Sequence, residues 1–217
     1  MKIVLHLCAD IGSDSYYYNI DDEYEVIRVG KDIGVENVFS SYGVTHLPNM
    51  NVETSKIVGI IANPPCTEFS TARADGKARE NEIGYEIVNH CVRIISEIKP
   101  DWWVIENPAR GTLKNYLGAP KYTYEPWHYG SPWTKQTALW GNFIIPPKVF
   151  TKWEDVPKNE NLYVRPRRPK ASLTFLHKSS IYLIGEFKPF INLVESDMSF
   201  RSLCSQKFAK AFWELNK

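Results

Sequence analysis

Lys56-Ile57-Val58-Gly59-Ile60-Ile61-Ala62-Asn63-Pro64-Pro65-Cys66-Thr67-Glu68-Phe69-Ser70 is the stretch on which the fold turns. Its first half is apolar at consecutive positions, as expected for a strand buried on both faces of a parallel sheet. Its second half stops that strand with two prolines. Residues 3–7, 24–29 and 102–105 form further runs of the same kind. Between the third and fourth runs, residues 78–98 predict a helix. Ile87, Cys91, Ile94, Ile95 and Ile98 recur there at helical spacing, and Pro100 ends the pattern just before Trp102. Strand, helix and strand in this order give right-handed crossovers and a doubly wound α/β sheet. Ligands of such sheets bind at the carboxyl ends of the strands, so the residues after each run are the place to look for chemistry.

The 217 residues suit one domain with at most a small appendage. Hydrophobic residues make up 43%, charged residues 24% and aromatics 13%, a globular rather than a disordered composition. Net charge is +1, so contact with nucleic acid must come from a local patch. Cys8, Cys66, Cys91 and Cys204 are widely spaced. That spacing argues against a disulfide framework or zinc knuckle and for a reducing cytoplasm. The opening segment 1–8 is too short and too interrupted by His6 and Asp10 to be a signal peptide, and reads as a buried first strand. No stretch approaches the roughly 20 apolar residues of a membrane helix. His6 and His90 lack metal-ligand spacing, and no metal is expected.

Two strand ends carry unusual residues. Pro64 and Pro65 fix the backbone that presents Cys66, a strong nucleophile once deprotonated. A lone cysteine is by default a buried structural residue, but the Pro-Pro before it and the Phe-Ser after it change that reading. After residues 102–105 come Glu106-Asn107-Pro108. A carboxyl group beside a Trp-Trp-Val-Ile strand lies in low-dielectric surroundings, which raise its pKa and suit it to hold or donate a proton. A third segment is Tyr129-Gly130-Ser131-Pro132-Trp133-Thr134-Lys135-Gln136-Thr137.

In this order, the three segments resemble the DNA cytosine-5 methyltransferase family, with its Pro-Cys-x-x-Phe-Ser loop, Glu-Asn-Val tripeptide and Tyr-Gly-x-Pro-Gln-x-Arg-x-Arg segment. The likeness is to short, phage-like members. It covers most of residues 1–142 and, more weakly, the C-terminal helix expected at residues 200–215. It implies a class I S-adenosylmethionine-dependent methyltransferase sheet, Rossmann-like, with a minimal target-recognition segment. It divides the chain into a catalytic, S-adenosylmethionine-binding core (1–142), a recognition segment (143–197) and a helix returning to the core (198–217). Cys66 would attack carbon 6 of cytosine, and Glu106 would hold the ring nitrogen and exocyclic amine. Asn107 would order the Cys66 loop. Lys135 stands for the first family arginine, with charge but without its planar fork. Thr137 replaces the second arginine, and Trp133 replaces the glutamine. The target base must leave its stack to be reached, so a flipped-out cytosine in DNA is the implied partner.

For S-adenosylmethionine, the family's glycine-rich opening is reduced here to Cys8, Ala9, Asp10 and Gly12. Asp10 is assigned to the cofactor's ammonium group, Asp32 to its ribose and Ile33 to its adenine. Asn63 and Ser202 complete the expected cofactor contacts. On the nucleic-acid side stand Ser70, Lys135, Thr137 and the basic run Arg165, Arg167, Arg168 and Lys170. From Thr151 to Ser180 there are seven Lys or Arg against three Asp or Glu. Aromatics and arginines interleave there, which suits phosphate contact and base stacking. A solvated basic loop is the bland alternative. Trp127, Trp133 and Trp140 are expected to wall the base pocket. So small an insert implies a short recognition site, relaxed specificity or help from a second subunit.

The leading expectation is a DNA cytosine-5 methyltransferase in the cytoplasm of a prokaryotic or phage-infected cell. A second reading keeps the chemistry on RNA, single-stranded DNA or a free cytosine nucleotide. A third is an idle nucleic-acid-binding or inhibitory protein of the same fold. Restriction-modification, evasion of host defence and epigenetic marking are all compatible roles.

Overall fold

A computed structural model describes residues 1–9, 11–30, 53–69 and 81–217. The apolar runs form strands β1 (Lys2–Leu7), β2 (Tyr24–Val29), β3 (Ile57–Ala62) and β4 (Trp102–Pro108). These four are parallel, with register pairs Leu7↔Val29, Leu7↔Ala62 and Ala62↔Ile105. Two further strands complete the sheet, β5 (Tyr122–Tyr124) and β6 (Thr137–Asn142), in the order β2-β1-β3-β4-β6-β5. Strand β6 runs antiparallel to both β4 and β5. The sheet is mixed α/β with the class I, Rossmann-like character expected of it. Among the described residues no helix is long and apolar enough to cross a membrane.

Alternation along the strands divides the core in two. Leu5, Leu7, Ile60, Ala62 and Ile105 face helix α2 (Asn81–Ile98), which returns Val88, Cys91, Ile94 and Ile95. Val4, Ile61, Trp102, Val104 and Leu139 face the other way, against Tyr18 of α1 (Tyr16–Asn19) and the C-terminal Phe208 and Phe212. Gly59 lies where a Cβ would come within 2.1 Å of the Trp102 ring, so the missing side chain lets the indole cross its neighbour strand.

Residues 143–197 are mostly short 3-10 turns, with no helical or strand period to read in sequence. They nevertheless enclose a third core of Leu162, Leu173, Leu176, Ile181, Phe187 and Phe190. Trp133 enters that core from one side, and Phe200 and Leu203 enter it from the other.

Two expectations on secondary structure change. Glu106-Asn107-Pro108 is not a loop after β4 but its continuation, because Leu139, Ala138 and Thr137 of β6 stand opposite as partners. The single helix expected at residues 200–215 is two. After the short α3 (Lys114–Leu117) come α4 (Asp197–Ser202) and α5 (Gln206–Leu215). The break is tertiary in origin: Cys204 N donates to Ser13 Oγ, 3.0 Å away, instead of to a helical carbonyl. Ser205 then caps α5, its Oγ accepting from Phe208 N at 3.2 Å.

Candidate active site

The carboxyl ends of β1, β3 and β4 converge. Asn63 N donates to Leu7 O, 3.0 Å away, carrying the β1–β3 ladder one residue past the strand. The chain then turns through Pro64 and Pro65 into one 3-10 turn, Cys66–Glu68, in which Phe69 N donates to Cys66 O. Both flanks of this turn are fixed. Asn107, 1% exposed, donates from Nδ2 to Pro64 O at 2.9 Å. Phe69 is fully buried against Tyr85, and its carbonyl accepts from Thr112 N at 2.8 Å. Cys66 is thus exposed on a rigid support.

Desolvation raises the Cys66 thiol pKa, the Glu106 charge raises it further, and Lys135 opposes both. Glu106 is half-buried, and desolvation raises its carboxyl pKa. Lys135 lowers it, Asp14 raises it and a hydrogen bond from Asn63 Nδ2 at 3.2 Å lowers it. Cys66, Glu106, Lys135 and Asp14 therefore share one electrostatic neighbourhood at the strand ends. A thiol, a carboxyl group and a cation thus lie within electrostatic reach of one another there.

Lys135 is held from two sides. Its backbone N donates to Glu125 Oε2 at 3.0 Å. Its Nζ donates to Ser202 O at 2.8 Å and to Leu203 O at 3.1 Å. Thr137 is 2% exposed and directs its hydroxyl to Lys135 O, 2.9 Å away. Ser202 bonds to Ser199 O at 2.8 Å and reaches this neighbourhood through its carbonyl.

The segment after β1 has the character of a ligand loop. Cys8 and Gly12 adopt positive φ, +52° and +81°. A Cβ on Gly30 would meet Ala9 O at 2.2 Å, so only glycine allows β2's end to approach this loop so closely. Cys8 Sγ lies 3.9 Å from Cys91 Sγ, tying the loop to α2. Ser13 Oγ and Ser13 O accept from Cys204 N and Gln206 Nε2. Among the described residues, Asn107 Oδ1 and Gln206 Oε1 are buried without a hydrogen-bond partner. Left-handed turns, a close backbone approach and unmet acceptors beside them suit a polar ligand that carries its own donors. The cofactor candidates Asp10, Asp32 and Ile33 and the DNA candidate Ser70 lie outside the described residues.

Lys170 of the basic run acts electrostatically on Glu125, the residue that accepts from Lys135 N. Arg165, Arg167 and Arg168 are exposed, Arg165 with its guanidinium 4.1 Å from the Phe175 ring centre. Lys170 Nζ sits 4.5 Å from the Trp127 ring centre and 5.1 Å from that of Trp153.

Trp133 and Trp140 do not wall the pocket. Trp133 is 0% exposed in the third core, with Nε1 donating to Glu186 Oε1 at 3.2 Å. Trp140 packs in the first core and donates to Gly118 O at 2.9 Å. Sequence reasoning missed Asp14 and the part played by His6, whose Nε2 is 2.6 Å from Asn63 Oδ1. Their signal was faint: an acid two residues beyond Gly12, and a histidine in an otherwise apolar strand.

His128 sits at the edge of this region with a measurable consequence. Its Nδ1 accepts from Glu125 N at 3.1 Å, and desolvation, helped by Lys148 and Lys170, lowers its pKa to about 4. As pH falls, the unfolded chain takes up this proton first, near pH ~6.5. The stability that the neutral ring gives is therefore intact above about 6.5 and lost progressively toward about 4. In urea unfolding, the midpoint of His128→Asn is expected to fall less between about pH 7 and about pH 5 than that of the wild type. Parallel falls would remove His128 as a source of acid sensitivity.

Residues 40–116 match the family model of the C-5 cytosine-specific DNA methylases. Over 117 residues the chain is 27% identical to the "Probable DNA (cytosine-5)-methyltransferase" of Frog virus 3 (isolate Goorha). The match takes in 46% of this chain and 53% of that protein, so the chain spans about half the length of the curated relative it matches.

Proposed function

We propose, from the match of residues 40–116 to the C-5 cytosine-specific DNA methylases and the geometry of the strand ends, that this chain moves a methyl group from S-adenosylmethionine to carbon 5 of cytosine in DNA, through a covalent bond to Cys66. The observation that supports this reading is that Cys66 and Glu106 stand at adjacent strand ends within electrostatic reach of each other, with the Cys66 turn held by the Asn107–Pro64 bond. The Cys66 sulfur, as thiolate, bonds to carbon 6. The ring's electrons move to carbon 5 while Glu106 holds the proton at the ring nitrogen. Carbon 5 would then take the methyl group as the bond between that methyl and the cofactor's sulfonium breaks, with a neutral thioether as the leaving group. Loss of the carbon 5 proton to a base and cleavage of the carbon–sulfur bond return the thiolate and the aromatic ring.

Cys8, Ala9 and Gly12 of the loop after β1, with Asn63 and Ser202, would hold the cofactor, together with Asp10, Asp32 and Ile33, which lie outside the described residues. S-adenosylmethionine supplies there an electrophilic methyl on a sulfonium. Lys135 stabilises the negative charge that gathers on Cys66 and Glu106, and its anchorage on Ser202 and Leu203 joins the C-terminal segment to the reaction. The division into core (1–142), recognition segment (143–197) and returning helix (198–217) belongs to this same reading.

Methyl incorporation from labelled cofactor tests it, on duplex DNA, single-stranded DNA, RNA and deoxycytidine monophosphate. Label in duplex cytosine is the expected result. Label only in one of the other substrates moves the same chemistry there, and none in any of them, with folded protein that binds DNA, leaves an idle binding protein.

The basic run is the proposed DNA contact. Neutralising one phosphate contact removes about 0.9 from the slope of log affinity against log salt. Arg167→Ala and Arg168→Ala should each flatten that slope by about this amount in fluorescence anisotropy with a duplex. An unchanged slope in the double variant would take these arginines out of the interface.

A further inference from the structure

His6 is 1% exposed at the carboxyl end of β1, on the same sheet face as Val4. Its Nε2 lies 2.6 Å from Asn63 Oδ1, and its Nδ1 lies 2.9 Å from Ser15 Oγ. Asn63 Nδ2 in turn donates to Glu106 Oε2 at 3.2 Å. A carboxamide oxygen only accepts, so the proton on this side of the imidazole is on Nε2. Ser15, also 1% exposed, lies 3.3 Å from Gly12 O and anchors the other edge of the ring to the loop after β1. Both ends of the Asn63 amide are therefore engaged, one by the first strand and one by the fourth.

We infer that His6 and Asn63 are positioning residues for Glu106, a relay in which the buried imidazole orients the Asn63 amide and the amide fixes the Glu106 carboxyl group. The inference rests on Glu106 as the acid of the proposed reaction. The backbone of Glu106 is fixed by β4 and its pairing with Leu139 of β6, but its side chain would otherwise sample several rotamers. Asn63 removes that freedom, but a terminal amide on a loop can rotate or flip unless its own oxygen is held. His6 Nε2–H holds it. The two residues thus act as one unit across three strands, in the way that outer partners orient groups in other polar sites.

The relay has a signature apart from turnover. A donated N–H favours the ionised carboxylate, so losing it raises the Glu106 pKa. The other groups around Glu106 are Asp14 from the loop after β1, Cys66 after β3, Tyr124 on β5, Lys135 before β6 and Cys204 before α5. None of them is altered by changes at His6 or Asn63. The test follows the Glu106 side-chain carbon by NMR in protein labelled at glutamate, with Glu106→Gln to assign the signal. In Asn63→Ala the titration midpoint should move to higher pH. His6→Leu should move it the same way, and the double variant should go no further than Asn63→Ala. His6→Gln, which keeps a donor toward Asn63, should bring it back toward the wild type. Circular dichroism confirms that each variant is folded, and His6→Gln with Asn63→Ala carries the test if His6→Leu does not fold.

Kinetics give a second arm. Single-turnover capture of 5-fluorocytosine DNA should slow by about tenfold in Asn63→Ala with KM for DNA unchanged, a fraction of the about 10²–10⁴ that a positioned acid supplies. A Glu106 midpoint that stays fixed in folded Asn63→Ala and His6→Leu would overturn the relay. A wild-type protein that captures no DNA would overturn the proposed reaction and leave the titration to decide the relay.

Discussion

Cys66→Ala is expected to abolish covalent capture of DNA containing 5-fluorocytosine, while the folded protein remains. Fluorine at carbon 5 blocks the closing elimination, so a working sulfur stays bonded to the base and travels with it on a denaturing gel. Removing the nucleophile of a concerted catalytic unit lowers turnover by about four orders of magnitude or more, because the remaining groups cannot make the missing bond. Stability should change by no more than about 0.5 kcal/mol. The side chain is exposed, and the turn that carries it is held by Pro64, Pro65, Asn107 and Phe69 rather than by the sulfur. Cys8, Cys91 and Cys204 remain as internal controls. An adduct of undiminished yield in Cys66→Ala would place the nucleophile elsewhere and remove the central step of the proposed reaction.

Trp133→Ala is expected to be the most destabilising single change in the third core. Truncating a fully buried tryptophan costs about 3–5 kcal/mol. Here the indole packs 5.5 Å from Phe187, centre to centre, and bonds to Glu186. Its backbone neighbours pair across the segment, Thr134 N with Ala171 O at 2.9 Å and Leu173 N with Thr134 O at 3.1 Å. The damage should not stay local. Glu186 Oε2 also accepts from Gln206 N at 2.8 Å, placing its charge at the first turn of α5. Loosening Glu186 therefore frees the helix that covers the second core. The melting temperature should drop by about 10 °C in one transition, and DNA affinity should fall with it. A separate low-temperature transition would show that the third core melts on its own, and an unchanged melting temperature would refute its role as the centre of that core.

Much of the sheet was legible because β3 and its neighbours are apolar on both faces, and α2 because its apolar residues repeat at helical spacing. Cys66 and Glu106 stood out for the same reason, at the points where those runs stop. Strands β5 and β6 were not legible: Thr137-Ala138-Leu139-Trp140-Gly141-Asn142 has no clean period, and its pairing depends on β4 continuing through a proline. The break before α5 was hidden because its cause, Ser13, is far away in sequence. The part played by His6 was not legible, since its contact with Asn63 follows from the β1–β3 register and not from spacing. Trp133 was misread through the glutamine it replaces, whereas the decisive fact is a core of 3-10 turns that carries no periodic signal.

The bonds from Cys204 and Gln206 to Ser13 join residues 191 and 193 positions apart. At a synthesis rate of about 5–20 residues per second, Ser13 is made roughly 10–40 s before its partners. Lys135, too, must wait for the carbonyls of Ser202 and Leu203. The proposed reaction centre is thus completed only after residues 202–206 have been made. A nascent chain paused before Ser202 carries Cys66 while Lys135 still lacks its contacts with Ser202 and Leu203, so the proposed nucleophile is made well before the groups that complete its surroundings.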